Sequence, residues 1–120
     1  MGRMGANMAR RLADLGYRIG AVYDPHESVA ASLAMELGCL HAGSLPEVTA
    51  ACGVIFTVVP DDEAMRAVFS EEEDSLLKGA AGRVFINCAT VSPEAHEAAE
   101  AAAARVGASA LAASMASSIT

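Results

Sequence analysis

The chain has 120 residues, 53% of them hydrophobic, with a mean hydropathy of +0.35, a formal net charge of −7 and a pI of about 4.8. That is one domain's worth of chain, long enough to bury a core, and its acidity argues against a nucleic-acid backbone as partner. No run approaches ~18 apolar residues, so no membrane-spanning helix is expected, and the amino end lacks a signal-peptide layout.

Met4, Met8, Leu12 and Leu15 recur at helical spacing, and Gly16 stops the run. This predicts an amphipathic helix. Arg18 to Tyr23 is short and apolar and ends in Asp24-Pro25, which reads as a buried strand and a turn. A second helix is expected from Glu27 to Leu37, closed by Gly38, then a brief strand over Cys39 to Ala42. Ser44 is placed to cap a short helix, with Glu47 in capping-box position. Gly53 to Val59 is the strongest strand signal, and Pro60 ends it. Asp61, Asp62 and Glu63 then put negative charge where a helix dipole favours it.

Ser70 to Lys78 reads as one or two helical turns with a solvated EEED run. Arg83 to Ala89 is a further strand. Ser92 and Pro93 suit the cap and first position of a long alanine-rich helix reaching Val106 and ended by Gly107. Ser109 to Ser114 forms a last short strand. Strands and helices alternate, and several strands are continuous apolar runs, so a parallel sheet covered on both faces is expected.

Aromatic residues are scarce: two Tyr, three Phe and no Trp. The core must therefore be aliphatic. Cys39, Cys52 and Cys88 are far apart and odd in number, which favours inert buried thiols in a reducing, cytoplasmic setting. His26, His41 and His96 show no ligand spacing, so no metal site is expected. Arg3, Arg10 and Arg11 read as a solvated helix face.

Gly2 and Gly5 have the spacing of the second and third glycines of a dinucleotide fingerprint, in which glycines let the backbone approach a diphosphate and a helix pack closely. Asp24 follows the next strand, about where an acid reads ribose hydroxyls. The fingerprint's first glycine and its strand are not among these residues.

The stretch GRMGANMARRLADLGYRIGAVYD resembles the start of the 3-hydroxyisobutyrate dehydrogenase family, β-hydroxyacid dehydrogenases related to 6-phosphogluconate dehydrogenase. That family begins with a strand, then GLGxMGxxMAxNL, then GYxVxVYD. VIFTVVPDDEAM resembles its fourth strand and following turn, and INCATVSPE resembles a family segment IDxSTVSPE. The resemblance implies a Rossmann-like α/β fold, a doubly wound parallel sheet lacking its first strand. Residues 1–120 would form a single partial NAD(P)-binding domain, without the all-α domain that follows it in relatives.

The resemblance also implies site residues. Gly2, Arg3, Met4 and Gly5 match the dinucleotide loop, and Asp24 the strand end. Val59 and Pro60 match the edge that lines the cofactor, and Thr90 the residue beside the nicotinamide ribose. The cofactor is NAD or NADP, with NAD favoured because Asp24 would repel a 2′-phosphate. Asn87 stands where many relatives carry Asp, and Ala89 where they carry Ser. LAASMASS takes the place of LDAPVSGG, so Ser117 and Ser118 would offer hydroxyls to substrate. The family's catalytic Lys has no counterpart here, since the one lysine, Lys78, sits beside EEED. No catalytic residue is therefore assigned.

The expected function is the cofactor half of a β-hydroxyacid dehydrogenase, without turnover by these residues alone. A small hydroxyacid would be a partner only of a longer form, and an oligomer is compatible with the family. A non-catalytic nucleotide-binding or interaction module, or a nonfunctional gene fragment, is the alternative. The expectation is a chain truncated at both ends, with marginal stability.

Overall fold

Helices and strands alternate where glycine stops and apolar runs place them. The computed structural model describes residues 2–70, 75–88 and 91–113, with side chains from Gly5 onward. In chain order it forms α1 (Gly2–Asp14), β1 (Ala21–Val22), α2 (Glu27–Leu37), β2 (Leu40–His41) and α3 (Leu45–Ala51). There follow β3 (Val54–Thr57), α4 (Asp62–Val68), β4 (Val84–Asn87), α5 (Pro93–Arg105) and β5 (Ser109–Ala112).

All strand pairs are parallel. β1 pairs with β2 in one sheet, and β3, β4 and β5 form a second in that order. The register sets Ile55 beside Phe85 and Ala110, and Thr57 beside Asn87 and Ala112.

One core spans both sheets. Ile55, Met65, Phe69, Phe85 and the buried alanines of α5 form it, and Ala21 and Tyr23 of the first sheet pack against it. Phe69 and Phe85 meet edge to face, with ring centroids 5.3 Å apart and an interplanar angle of 87°. On the opposite face Ala6 and Ala9 of α1 pack with Val22, Leu33 and Ala34. Arg10 of α1 also forms a bidentate ion pair with Glu36 of α2, at 2.7 and 3.1 Å.

Helix ends follow the sequence closely. Gly38 closes α2 in the left-handed region at φ 68°. Asp61 caps α4 by accepting the Ala64 N–H at 2.8 Å, and Ser92 caps α5 by accepting the Ala95 N–H at 3.1 Å.

Several expectations change. Every strand is shorter than its apolar run, and β1 most of all, because β2 offers it only two paired residues. Helix α1 ends at Asp14, so Leu15 leaves the buried stripe and is 57% exposed. The capping box is displaced by one residue: the Ser44 side chain makes no capping bond, and Glu47 accepts the N–H of Gly43 instead. Among the described residues the second sheet is not covered on both faces. Val54, Phe56 and Leu111 point away from the core and are exposed. Only Cys88 is buried, while Cys39 and Cys52 are half-buried. Burial pushes all three thiols above their ordinary range. The EEED run lies outside the described residues, and Ser75 to Gly79 is a turn.

Candidate dinucleotide site

A helix that connects parallel strands runs antiparallel to them, so its amino end lies at the carboxyl edge of the sheet. Crevices outside that edge are where open α/β sheets bind ligands. Helix α1 leads into β1 through residues 15–20, which puts Gly2 to Gly5 at this edge. They form the first turn of α1 rather than a loop ahead of it, and Gly5 is buried. First-turn N–H groups have no carbonyl one turn earlier to bond, and they carry the positive end of the dipole.

Asp24 lies two residues beyond the end of β1, at the same edge. It is buried at 4% exposure, and its Oδ1 accepts the His26 N–H at 2.8 Å. This turn fixes the carboxylate at the strand end, just before α2. Val59 is half-buried and packs against the core beyond β3, and Pro60 is exposed after it. Gly2, Gly5 and Asp24 thus lie at the carboxyl end of the β1–β2 sheet, and Val59 and Pro60 follow the carboxyl end of β3 in the second sheet. Thr90, Ser117 and Ser118 lie outside the described residues, as do the side chains of Arg3 and Met4.

Two polar pairs at this edge are not evident from motif spacing. Thr57 donates its hydroxyl to Asn87 Oδ1 at 2.6 Å, joining the carboxyl ends of β3 and β4. Asn87 is fully buried, and its Nδ2 has no hydrogen-bond partner among the described residues. Asp62, on the first turn of α4, accepts from Ser92 twice, from N–H at 2.8 Å and from the hydroxyl at 2.6 Å. These bonds hold the Asp62 carboxyl below its ordinary range, with Arg66 and His96 adding a smaller pull. The signal for both pairs was a polar residue ending an apolar strand or opening a helix.

The donor set suits a dinucleotide. Backbone N–H groups at a helix amino end match a diphosphate, and a fixed carboxylate matches ribose hydroxyls. Among the described residues no group of three His, Cys, Asp or Glu is arranged to hold a metal ion, and no helix is long and apolar enough to cross a membrane.

Comparison with known proteins agrees with this geometry. The sequence model of the family described as the NAD binding domain of 6-phosphogluconate dehydrogenase matches residues 1–117. The 3-hydroxyisobutyrate dehydrogenase of Pseudomonas aeruginosa is 29% identical over 106 residues, which are 88% of this chain and 35% of that protein. A solved structure of the Mycobacterium tuberculosis 3-hydroxyisobutyrate dehydrogenase with L-serine is 30% identical and superposes with a TM-score of 0.81, over 94% of this chain and 37% of that one. Another, described as Psf3 in complex with NADP+ and 2-OPP, is 27% identical with a TM-score of 0.81, over 91% of this chain and 38% of that one. The chain thus spans little more than a third of the length of these relatives.

Proposed function

The chain belongs to the NAD binding domain family of 6-phosphogluconate dehydrogenase, and from that premise we propose that it holds the cofactor for a β-hydroxyacid dehydrogenase of the 3-hydroxyisobutyrate type. The observation that carries this reading is the convergence of the α1 first turn and the Asp24 carboxylate at one carboxyl edge of a parallel sheet.

The first-turn N–H groups of α1 receive the diphosphate, with Gly2 letting the backbone approach it and Gly5, which is buried, letting the helix pack closely. Asp24 accepts from the adenosine ribose hydroxyls, and its charge opposes a 2′-phosphate, so NAD is preferred over NADP. Val59, Pro60 and Thr90 line the nicotinamide half. Ser117 and Ser118 offer hydroxyls toward a small hydroxyacid in a longer form of the protein.

When bound, the nicotinamide supplies a hydride acceptor or donor. The residues of this chain bind it and orient it. None is assigned proton transfer, because Lys78 is exposed in a turn rather than placed at the edge described.

Calorimetric titration of the chain with NAD+ and NADP+ tests the reading. Saturable binding with NAD+ preferred is expected. Asp24→Asn keeps an acceptor for the His26 N–H but removes the charge, and it should lower the NAD+ preference by about tenfold, the size of one charged hydrogen bond. No binding of either dinucleotide, or an unchanged preference in the variant, refutes the assignment.

A further inference from the structure

The segment that follows β3 is tied at both ends to the chain that follows β4. Nearer the sheet, the Cys88 N–H donates to the Thr57 carbonyl at 2.9 Å, and beside it the Thr57 hydroxyl donates to Asn87 Oδ1 at 2.6 Å. Farther out, the Asp62 carboxylate accepts the Ser92 N–H on one oxygen and the Ser92 hydroxyl on the other. Residues 58–61 lie between these two links, and Val59 and Pro60 are among them.

The outer link is surplus to the helices it joins. α4 has its own cap, because Asp61 accepts the Ala64 N–H at 2.8 Å. α5 has one as well: the Ser92 hydroxyl oxygen accepts the Ala95 N–H at 3.1 Å while its proton goes to Asp62. Removing the Asp62 carboxylate therefore leaves both caps in place. What it frees is the position of the segment after β3 relative to the start of α5. Two charge-assisted bonds to one carboxylate fix direction as well as distance, so the link resists that movement.

We propose that Asp62 is a positioning residue for the nicotinamide half of the dinucleotide: clasped by Ser92, it holds the Val59 and Pro60 segment in its binding position against the start of α5. The proposal rests on the dinucleotide reading, in which Val59 and Pro60 line that half. Asp62 touches no ligand in this role. It lowers the cost of ordering the segment when the ligand arrives. The diphosphate and the adenosine ribose do not depend on it, because α1 and Asp24 hold them on the β1–β2 side.

Calorimetric titration of the full chain with NAD+ and with ADP-ribose, which lacks only the nicotinamide, tests the proposal. The unaltered chain should bind NAD+ more tightly. Asp62→Ala should lower NAD+ affinity by roughly threefold to tenfold, the cost of ordering about one more side chain, and leave ADP-ribose affinity within about twofold. Asp61→Ala removes the α4 cap but not the link, so it reads general loosening and should not change the ratio of the two affinities. Asp62→Asn keeps the shape of the side chain but cannot accept both Ser92 donors, and it should show the same selective loss should Asp62→Ala fail to fold. Unchanged NAD+ affinity in the Asp62 variants, equal losses for both ligands, or the same selective loss in Asp61→Ala overturns the proposal and leaves the dinucleotide reading standing. Equal affinity of the unaltered chain for the two ligands does so as well. Binding of neither ligand overturns that reading and this proposal with it.

Discussion

Asp62 links two helices that a sequence window cannot relate, because Ser92 lies 30 residues away. Its two bonds from Ser92 hold the carboxyl below its ordinary value. A folded pKa depressed in this way contributes stability in full above the ordinary carboxylate value, and that stability is lost as pH falls through the folded one. The chain should therefore lose thermal stability more steeply than Asp62→Asn below about pH 4. Melting curves collected from neutral to acidic pH check this, and parallel acid limbs in the two proteins would remove the latch. Ser92 as a cap is legible from Ser-Pro-Glu. Its second role is not, nor is the Thr57–Asn87 pair, because both depend on which strands become neighbours.

At the scale of elements, glycine stops are the most readable feature. Helix α2 spans Glu27–Leu37 as its pattern predicts, and Gly38 closes it at φ 68° with open space around the position of a Cβ. Gly38→Ala therefore meets no clash and pays only for left-handed backbone, about 1–2 kcal/mol. A drop in melting temperature of roughly 4–8 °C is expected, read by circular dichroism. A smaller effect in Gly53→Ala, where no positive φ is involved, isolates the backbone cause. Strand ends were less legible, because an apolar run such as Arg18 to Tyr23 does not reveal how many partner residues will pair with it. The displaced capping box has the same origin: Glu47 spacing fits either Ser44 or Gly43, and three-dimensional placement decides.

For the molecule as a whole, alternation and continuous apolar strands are enough to give a parallel α/β fold of Rossmann type. They do not reveal that the described strands form two sheets or that Val54 and Phe56 are exposed, since both look like any core residues. The larger of the two hydrophobic clusters lies beneath both sheets and carries much of the stability. Phe85 is fully buried there, and Phe85→Ala removes both its burial and the Phe69 edge contact. The cost is about 3–5 kcal/mol, against roughly 5–15 kcal/mol for a whole domain. Denaturant titration should show the midpoint collapse. A loss below about 1 kcal/mol would mean that the two sheets do not melt as one cooperative unit.

The alanines of α5 set a limit on how this surface can drift. Ala95, Ala99, Ala102 and Ala103 are all buried where the helix lies against β5 and α4. Methyl groups allow that close approach, and close-packed interiors take extra methylenes only at a cost. Any larger side chain must lever the helix outward, so neutral change along α5 is confined to its wetted side.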